Sequence, residues 1–335
     1  MSDIILLSTM DLTDGQLARV AKVSDQVRVK QVYCRHSHEV GPLLEGVEIL
    51  LTQHGRISLE RADRLRWVQL MTAGVDHLLD QPIMTSGAMV TTASGIHATP
   101  IAEYVLGMML ALTRQLPLAQ GLQRRRAWPE DTHKTFAGYE MYGETVGILG
   151  YGSIGREVGR MARSLGMRVL ALSSSGRRRD TGYVVEGTGD PEGVIPDAWY
   201  RADQLHEFLS LCRYLVVAVP LTPQTHHMLD AAALAAMPPG AFLINIARGA
   251  VIDEAALIEA LRTRRLAGAA LDVFEREPLP ADSPLWDMEG VIITPHISGF
   301  TARYNDRLSA LLAENLRRYL AGEPLYNRVD IKRGY

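Results

Sequence analysis

The stretch Thr145-Val146-Gly147-Ile148-Leu149-Gly150-Tyr151-Gly152-Ser153-Ile154-Gly155 decides the fold of the larger part of this chain. An apolar strand runs straight into Gly-x-Gly-x-x-Gly. Beyond it Ile154, Val158, Met161, Ala162 and Leu165 recur at helical spacing until Gly166, which is placed to stop the helix. Strand, glycine turn and helix in that order form a dinucleotide-binding loop. Gly150 makes the tight turn, Gly152 lets backbone approach a pyrophosphate, and Gly155 lets helix and strand pack closely. The unpaired N–H groups at the helix start then face the phosphates.

Downstream, apolar runs at 145–149, 167–172, 214–219, 241–246, 266–271 and 291–294 read as six strands with helical segments between them, a doubly wound parallel sheet. A Gly/Asp/Pro-rich stretch at 176–196 interrupts the series and is long for a loop. It reads as a surface insertion or as part of the cofactor edge. Upstream, strands are expected at 4–7, 27–32, 47–51 and 68–70, with a helix at 13–23 between the first two. This is a second parallel α/β arrangement, without a phosphate loop. The segment 99–112 is apolar nearly all round and predicts a buried helix at a domain junction. The last helix is expected at 301–320, and 335 residues accommodate two domains.

The bulk numbers exclude several classes. With 47% hydrophobic and 22% charged residues and a net charge of −3, the chain has the make-up expected of a soluble globular protein. It lacks the concentrated positive charge by which nucleic-acid binders displace counterions. Arg124-Arg125-Arg126 reads as a solvated helix face. No run approaches the roughly 20 apolar residues that span a bilayer, and residues 1–8 read as a strand, not a signal peptide. Cys34 and Cys212 lie too far apart in sequence to suggest a metal cluster or disulfide framework. No metal is expected, and the cytoplasm is the expected location.

The residue at the end of the second strand of a dinucleotide domain selects the cofactor. An acidic side chain there binds the free ribose diol of NAD. Here the chain reads Leu172-Ser173-Ser174-Ser175-Gly176-Arg177-Arg178-Arg179. Small hydroxyls and arginines suit the 2′-phosphate of NADP, since arginine binds phosphate through a charge-assisted fork. NADP is therefore expected at Ser173, Ser174 and Arg177, with NAD as the alternative.

Three segments after strands carry the remaining chemistry. They are Leu243-Ile244-Asn245-Ile246-Ala247-Arg248-Gly249, Ala270-Leu271-Asp272-Val273-Phe274-Glu275-Arg276-Glu277-Pro278, and Ile293-Thr294-Pro295-His296-Ile297-Ser298-Gly299. Together with Gly150–Gly155 and Val219-Pro220-Leu221-Thr222-Pro223-Gln224-Thr225, they resemble the NAD(P)-dependent D-isomer-specific 2-hydroxyacid dehydrogenases. That family includes glyoxylate/hydroxypyruvate reductases and phosphoglycerate dehydrogenases. The chain departs from the common NAD form at Ser173. It is also too short for the extra regulatory domain of some phosphoglycerate dehydrogenases.

The resemblance implies hydride transfer between NAD(P)H and a small 2-keto acid or D-2-hydroxy acid. His296 would be the general acid, because histidine alone titrates near neutral pH unaided. Glu277 would orient His296, and Arg248 would grip the substrate carboxylate and polarise the carbonyl. Cofactor contacts are implied at Gly150, Gly152, Ser153, Ile154, Gly155, Val219, Pro220, Thr225, Ile246, Ala247, Asp272, Ser298 and Gly299, with Asp272 on the nicotinamide carboxamide. Gln69-Leu70-Met71-Thr72-Ala73-Gly74 resembles the substrate loop, where the N–H groups of Ala73 and Gly74 receive the carboxylate. His77 and His97 have no partner pattern and no expected role. The implied architecture is a Rossmann cofactor domain, 99–297, inserted in a flavodoxin-like substrate domain, 1–98 plus 298–335. Homodimers with the segment after Leu110 in the contact are typical. Two other readings remain. One is a same-fold dehydrogenase of another small substrate, such as phosphite; formate dehydrogenases carry glutamine where Glu277 stands. The other is a nucleotide-sensing corepressor.

Overall fold

Apolar β-branched runs too short for helices pair in register into two all-parallel sheets. The computed structural model describes residues 3–174, 176 and 179–331. One unit comprises the residues up to His97, Thr181–Val185 and those from Thr301 onward. The other comprises Ala98–Asp180 and Glu186–Phe300.

The first unit holds β1 (Ile4–Ser8), β2 (Val27–Gln31), β3 (Ile49–Thr52), β4 (Trp67–Leu70) and β5 (Met89–Thr91) in the order β2-β1-β3-β4-β5. This is the flavodoxin-like order the resemblance implies. β5 is a fifth strand beyond the four legible in sequence. Three residues give too little pattern to read. The helix Asp14–Ala21 starts on a Thr13 capping box. It packs on the long helix Tyr304–Ala321, where Gln16 Nε2 donates to Asp306 at 2.8 Å.

The second unit holds β6 (Thr145–Leu149), β7 (Arg168–Leu172), β8 (Ala198–Tyr200), β9 (Tyr214–Val217), β10 (Ala241–Asn245), β11 (Leu266–Leu271) and β12 (Val291–Ile293). Their order is β12-β11-β10-β9-β6-β7-β8, so the expected doubly wound sheet has seven strands and not six. β8, Ala-Trp-Tyr at an edge, is again too short to announce itself. Alternate side chains feed two apolar layers, with Val146 and Ile148 of β6 on one face and Leu149 on the other. Gly147 points to the Leu149 side. A Cβ there would stand 2.0 Å from Cys212 Sγ, so glycine is what lets the helix Leu205–Ser210 and its end lie flat on β6. The helix Ala98–Thr113 is buried along most of its length, as its composition predicts. Leu165, expected on the apolar face of the helix Ser153–Ser164, instead forms its C-cap and is exposed. Gly166 (φ 76°) stops the helix as foreseen.

The 176–196 stretch is neither loose insertion nor simple edge. The buried Arg156 guanidinium donates to the Asp190 carbonyl at 2.5 Å and pairs with Asp180 at 3.4 Å. Tyr151 Oη donates to the Asp190 carboxylate at 3.1 Å, and buried Glu157 accepts from Gly189 N at 2.6 Å. Between these anchors Thr181–Val185 belongs to the first unit. There Tyr183 N donates to Asn327 at 3.2 Å, and the Tyr183 carbonyl lies against Gly95, where a Cβ would be 2.0 Å away.

His97 ends the first unit's opening stretch, with its ring edge-on to Tyr304 at 5.1 Å. Burial, aided by the charge of Arg307, holds it down to about 4. The folded state therefore refuses a proton that the unfolded chain takes up at its ordinary value of 6.5. Stability from the neutral ring is complete above that value and is lost as pH falls toward about 4. We expect Tm to decline across this window and the decline to flatten in His97→Phe. An unchanged acid limb in the variant would assign the decline to other groups.

Candidate active site

In a parallel sheet every strand points its carboxyl end to the same edge, and loops there present the functional groups. Along that edge of the second unit the order is His296 after β12, Asp272 and Glu277 after β11, and Arg248 after β10. Val219 and Pro220 follow after β9, Gly150–Gly155 after β6, and Ser173 after β7. The order of the strands reverses between β6 and β9, one series running outward to β8 and the other to β12, and this is the switch point where open α/β sheets bind ligands.

The glycine loop separates into two kinds of glycine. Gly150 (φ 99°) is required by the fold itself, since a Cβ there would lie 2.6 Å from the Ala218 carbonyl oxygen. Gly155 is required likewise, with 2.3 Å to the Gly150 carbonyl oxygen. Gly152, the N-cap of the helix Ser153–Ser164, has nothing within 4 Å of an added Cβ. Protein packing does not ask for glycine at that point. The open space beside a helix N-terminus fits a pyrophosphate, and Ser153 and Ile154 open the same helix.

His296 Nδ1 lies 2.9 Å from Glu277 Oε2, and the two side chains are 50% and 38% exposed. The carboxylate can only accept, so Nδ1 carries the hydrogen and Nε2 is left toward solvent. Glu277 is fixed in turn by Phe274 N, which donates to Oε1 at 3.1 Å. On the same loop Glu275 accepts from His227 Nε2 at 2.7 Å and from Glu254 N at 3.2 Å. Half-buried Arg248 has Nη1 on the Ala247 carbonyl at 2.8 Å. Its neighbour Gly249 is pressed so hard on the β11 loop that a Cβ would fall 1.8 Å from the Phe274 carbonyl carbon. The Arg-Gly pair thus locks the Arg248 loop to the Glu277 loop. Buried Ile246 and Ala247 lie just before it.

Asp272 is fully buried, and its carboxylate faces its own neighbourhood. Oδ1 accepts from Thr294 Oγ1 at 2.5 Å and from Ile297 N at 2.9 Å, while Oδ2 accepts from Ser298 N at 2.9 Å. The His296 N–H donates to the Asp272 carbonyl at 2.9 Å, and His296 sits at φ 55°. No local pattern in the sequence marks Thr294 as a partner of Asp272; the fold brings the two together. Gly299 follows Ser298 on the same turn.

At the other end of the edge, buried Ser173 Oγ donates to the Gly176 carbonyl at 2.5 Å, and Ser174 is exposed beside it. Arg177 lies outside the described residues. Arg179 pairs with Glu192, its Nε donating at 2.6 Å. Arg201, after β8, was not singled out in the sequence; its Cγ is 3.6 Å from where a Gly176 Cβ would be. Thr225 closes its own loop by donating to the Pro220 carbonyl at 2.6 Å. Ala73 and Gly74 belong to the first unit, half-buried on the loop after β4. Among the described residues no group of three or more His, Cys, Asp or Glu could hold a metal ion, and no helix is long and apolar enough to cross a membrane.

The profile of the D-isomer specific 2-hydroxyacid dehydrogenase NAD-binding domain matches residues 106–298. The (S)-sulfolactate dehydrogenase of Chromohalobacter salexigens is 38% identical over 273 residues, 80% of this chain and 82% of its own. The D-3-phosphoglycerate dehydrogenase of Methanocaldococcus jannaschii is 32% identical over 292 residues, 86% of this chain. The match covers 52% of that relative, about half its length. The crystal structure of a D-isomer specific 2-hydroxyacid dehydrogenase from Xanthobacter autotrophicus Py2, in complex with NADPH and MES, superposes with a TM-score of 0.79 at 31% identity. It covers 100% of both chains. This chain therefore belongs to the D-isomer specific 2-hydroxyacid dehydrogenase family, whose members are nicotinamide-dependent oxidoreductases of small 2-hydroxy and 2-keto acids.

The two kinds of glycine make separable predictions. Gly150→Ala should lower stability by at least about 1–3 kcal/mol through the strained φ alone. Gly152→Ala should leave Tm near wild type and weaken nucleotide binding, measured by quenching of intrinsic fluorescence. Equal nucleotide affinity in Gly152→Ala would remove the pyrophosphate from that position.

Proposed function

We propose that this chain reduces a small 2-keto acid to the D-2-hydroxy acid, with His296 as proton donor. The observation that carries this reading is the 2.9 Å His296–Glu277 pair on the sheet edge that also presents Arg248 and the glycine loop. When bound, the nicotinamide supplies the hydride to C2. His296 holds a proton at Nε2 for the carbonyl oxygen, while Glu277 on Nδ1 keeps the ring from turning as the proton leaves. Arg248 offers a planar fork to the substrate carboxylate and polarises the carbonyl beside it. By its resemblance to the family's substrate loop, the loop after β4 would offer the backbone N–H groups of Ala73 and Gly74 to a carboxylate. The exposed Leu110, Leu116, Trp128, Tyr139 and Tyr142 favour a homodimer built on the segment after Leu110. Two free buried thiols suit the reducing cytoplasm.

Glyoxylate, hydroxypyruvate, pyruvate and sulfopyruvate, followed by bulkier branched and phenyl keto acids, form the test panel. Turnover is read as loss of reduced-cofactor absorbance. His296→Ala should lower kcat by about 10²–10⁴-fold and leave nucleotide affinity unchanged. A near-normal kcat would mean that the proton comes from elsewhere, and no turnover with any acid would defeat the reading.

We further infer NADPH over NADH. Ser173 brings no carboxylate to repel a 2′-phosphate, and the Xanthobacter relative was crystallised with NADPH. The attraction has to come from the neighbouring arginines. An exposed pair such as Arg179–Glu192 contributes little and is easily exchanged for a phosphate. One charge-assisted contact corresponds to a preference of about ten- to a hundredfold in kcat/KM, and salt should shrink it. Ser173→Asp should move the preference toward NADH. A wild-type preference for NADH would leave these arginines to solvent.

A further inference from the structure

His296 occupies the left-handed region, φ 55°, where a residue with a Cβ pays about 1–2 kcal/mol. Something must hold it there. Three successive N–H groups supply the cause. That of His296 goes to the Asp272 carbonyl, and those of Ile297 and Ser298 go to its two carboxylate oxygens. Backbone turned to point consecutive N–H groups inward forms an anion cradle, and a left-handed residue is part of making one. The anion here is the protein's own Asp272. Its position therefore sets the backbone of His296 and the direction in which the ring leaves the chain.

Two N–H groups do not use up a carboxylate, and a buried one needs its remaining acceptor sites filled. Thr294 Oγ1 fills one at 2.5 Å. A carboxylate cannot donate, so the Thr294 hydrogen points to Asp272, and the hydroxyl oxygen is free to accept. Tyr104 Oη is 2.7 Å from that oxygen and must be the donor. Tyr104 stands on the buried helix Ala98–Thr113, a rigid element packed against the helix Ser153–Ser164 of the nucleotide loop. Burial keeps its phenol protonated, pushed up to about 12, so the donor is present throughout the working range.

We propose that Tyr104 and Thr294 are positioning residues: the chain Tyr104–Thr294–Asp272 holds the 296–298 cradle, and through it the catalytic orientation of His296. Neither side chain touches the reacting atoms in this scheme. The inference rests on the keto-acid reductase reading for its effect on catalysis, but not for its effect on the cradle. Tyr104→Phe deletes one hydroxyl and keeps the ring, and Thr294→Val is its near-isosteric counterpart.

The test has two arms. In the protein without nucleotide, amide hydrogen exchange at Ile297 and Ser298 is compared among wild type, Tyr104→Phe, Thr294→Val and Thr294→Ser. Exchange at these two amides should rise about tenfold in the first two variants, the size of one lost charge-assisted hydrogen bond, with protection elsewhere unchanged. Thr294→Ser, which restores the hydroxyl, should match wild type. In the second arm kcat for the best keto acid should fall by about tenfold in Tyr104→Phe and Thr294→Val, with KM for the acid changed far less. Unaltered exchange in Tyr104→Phe would overturn the proposal even if Thr294→Val failed to fold. A wild-type protein without turnover would count against the reductase reading and would leave the exchange arm to decide the cradle.

Discussion

A carboxylate buried without a cation is the constraint around which the site is built. Moving such a group out of water costs several kcal/mol unless hydrogen bonds replace the lost solvent. For Asp272 the replacement comes from dipoles alone, one hydroxyl and two backbone amides, among the described residues. Amides can reach it only if the chain after β12 curls around it. That curl sets the backbone of His296, and Glu277, on the loop after β11, then meets the ring at 2.9 Å. A charge that the fold must satisfy thus becomes the means of aiming the side chain proposed as the proton donor.

The rest of the edge follows from strand order. Because β10, β11 and β12 are adjacent and parallel, Arg248, Glu277 and His296 are neighbours in space although 48 residues separate the first from the last. Close backbone approach tightens the arrangement. Gly249 on the Phe274 carbonyl and Gly155 on the Gly150 carbonyl are places where a single methyl group would push two loops apart. At the far end β6 and β7 deliver the nucleotide loop and Ser173.

Much of this was legible in the sequence because it is written in spacing. The glycine fingerprint, the strand-ending segments and the apolar junction helix each depend on a short window, and the two sheet orders accord with the family they imply. The three-residue strands β5 and β8 escaped, since three residues carry no period. The partners of buried charges escaped for a different reason. Arg156 with Asp190, Glu157 with Gly189, and Thr294 with Asp272 are pairings across 22 to 34 residues, and nothing local distinguishes a buried arginine or threonine from a solvated one. Of the arginines after Ser173, the structure describes Arg179. It is paired with Glu192, and Arg201, which comes from another strand end and which no local pattern marks, lies beside Gly176.

The segment Thr181–Val185 has a consequence for how the protein is made. The first unit draws on the opening 97 residues, on these five, and on everything from Thr301 onward. Its sheet can pair early, but Tyr183 and the helix Tyr304–Ala321 reach the ribosome exit much later, and the sheet face they cover is waiting meanwhile. The second unit is finished first in order of synthesis, with Phe300 as its last residue. Contacts of such long sequence separation are slow to form and expose apolar surface until they do. The nascent chain therefore passes through a stage with one unit complete and the other open, and protection of that open face falls to the cell.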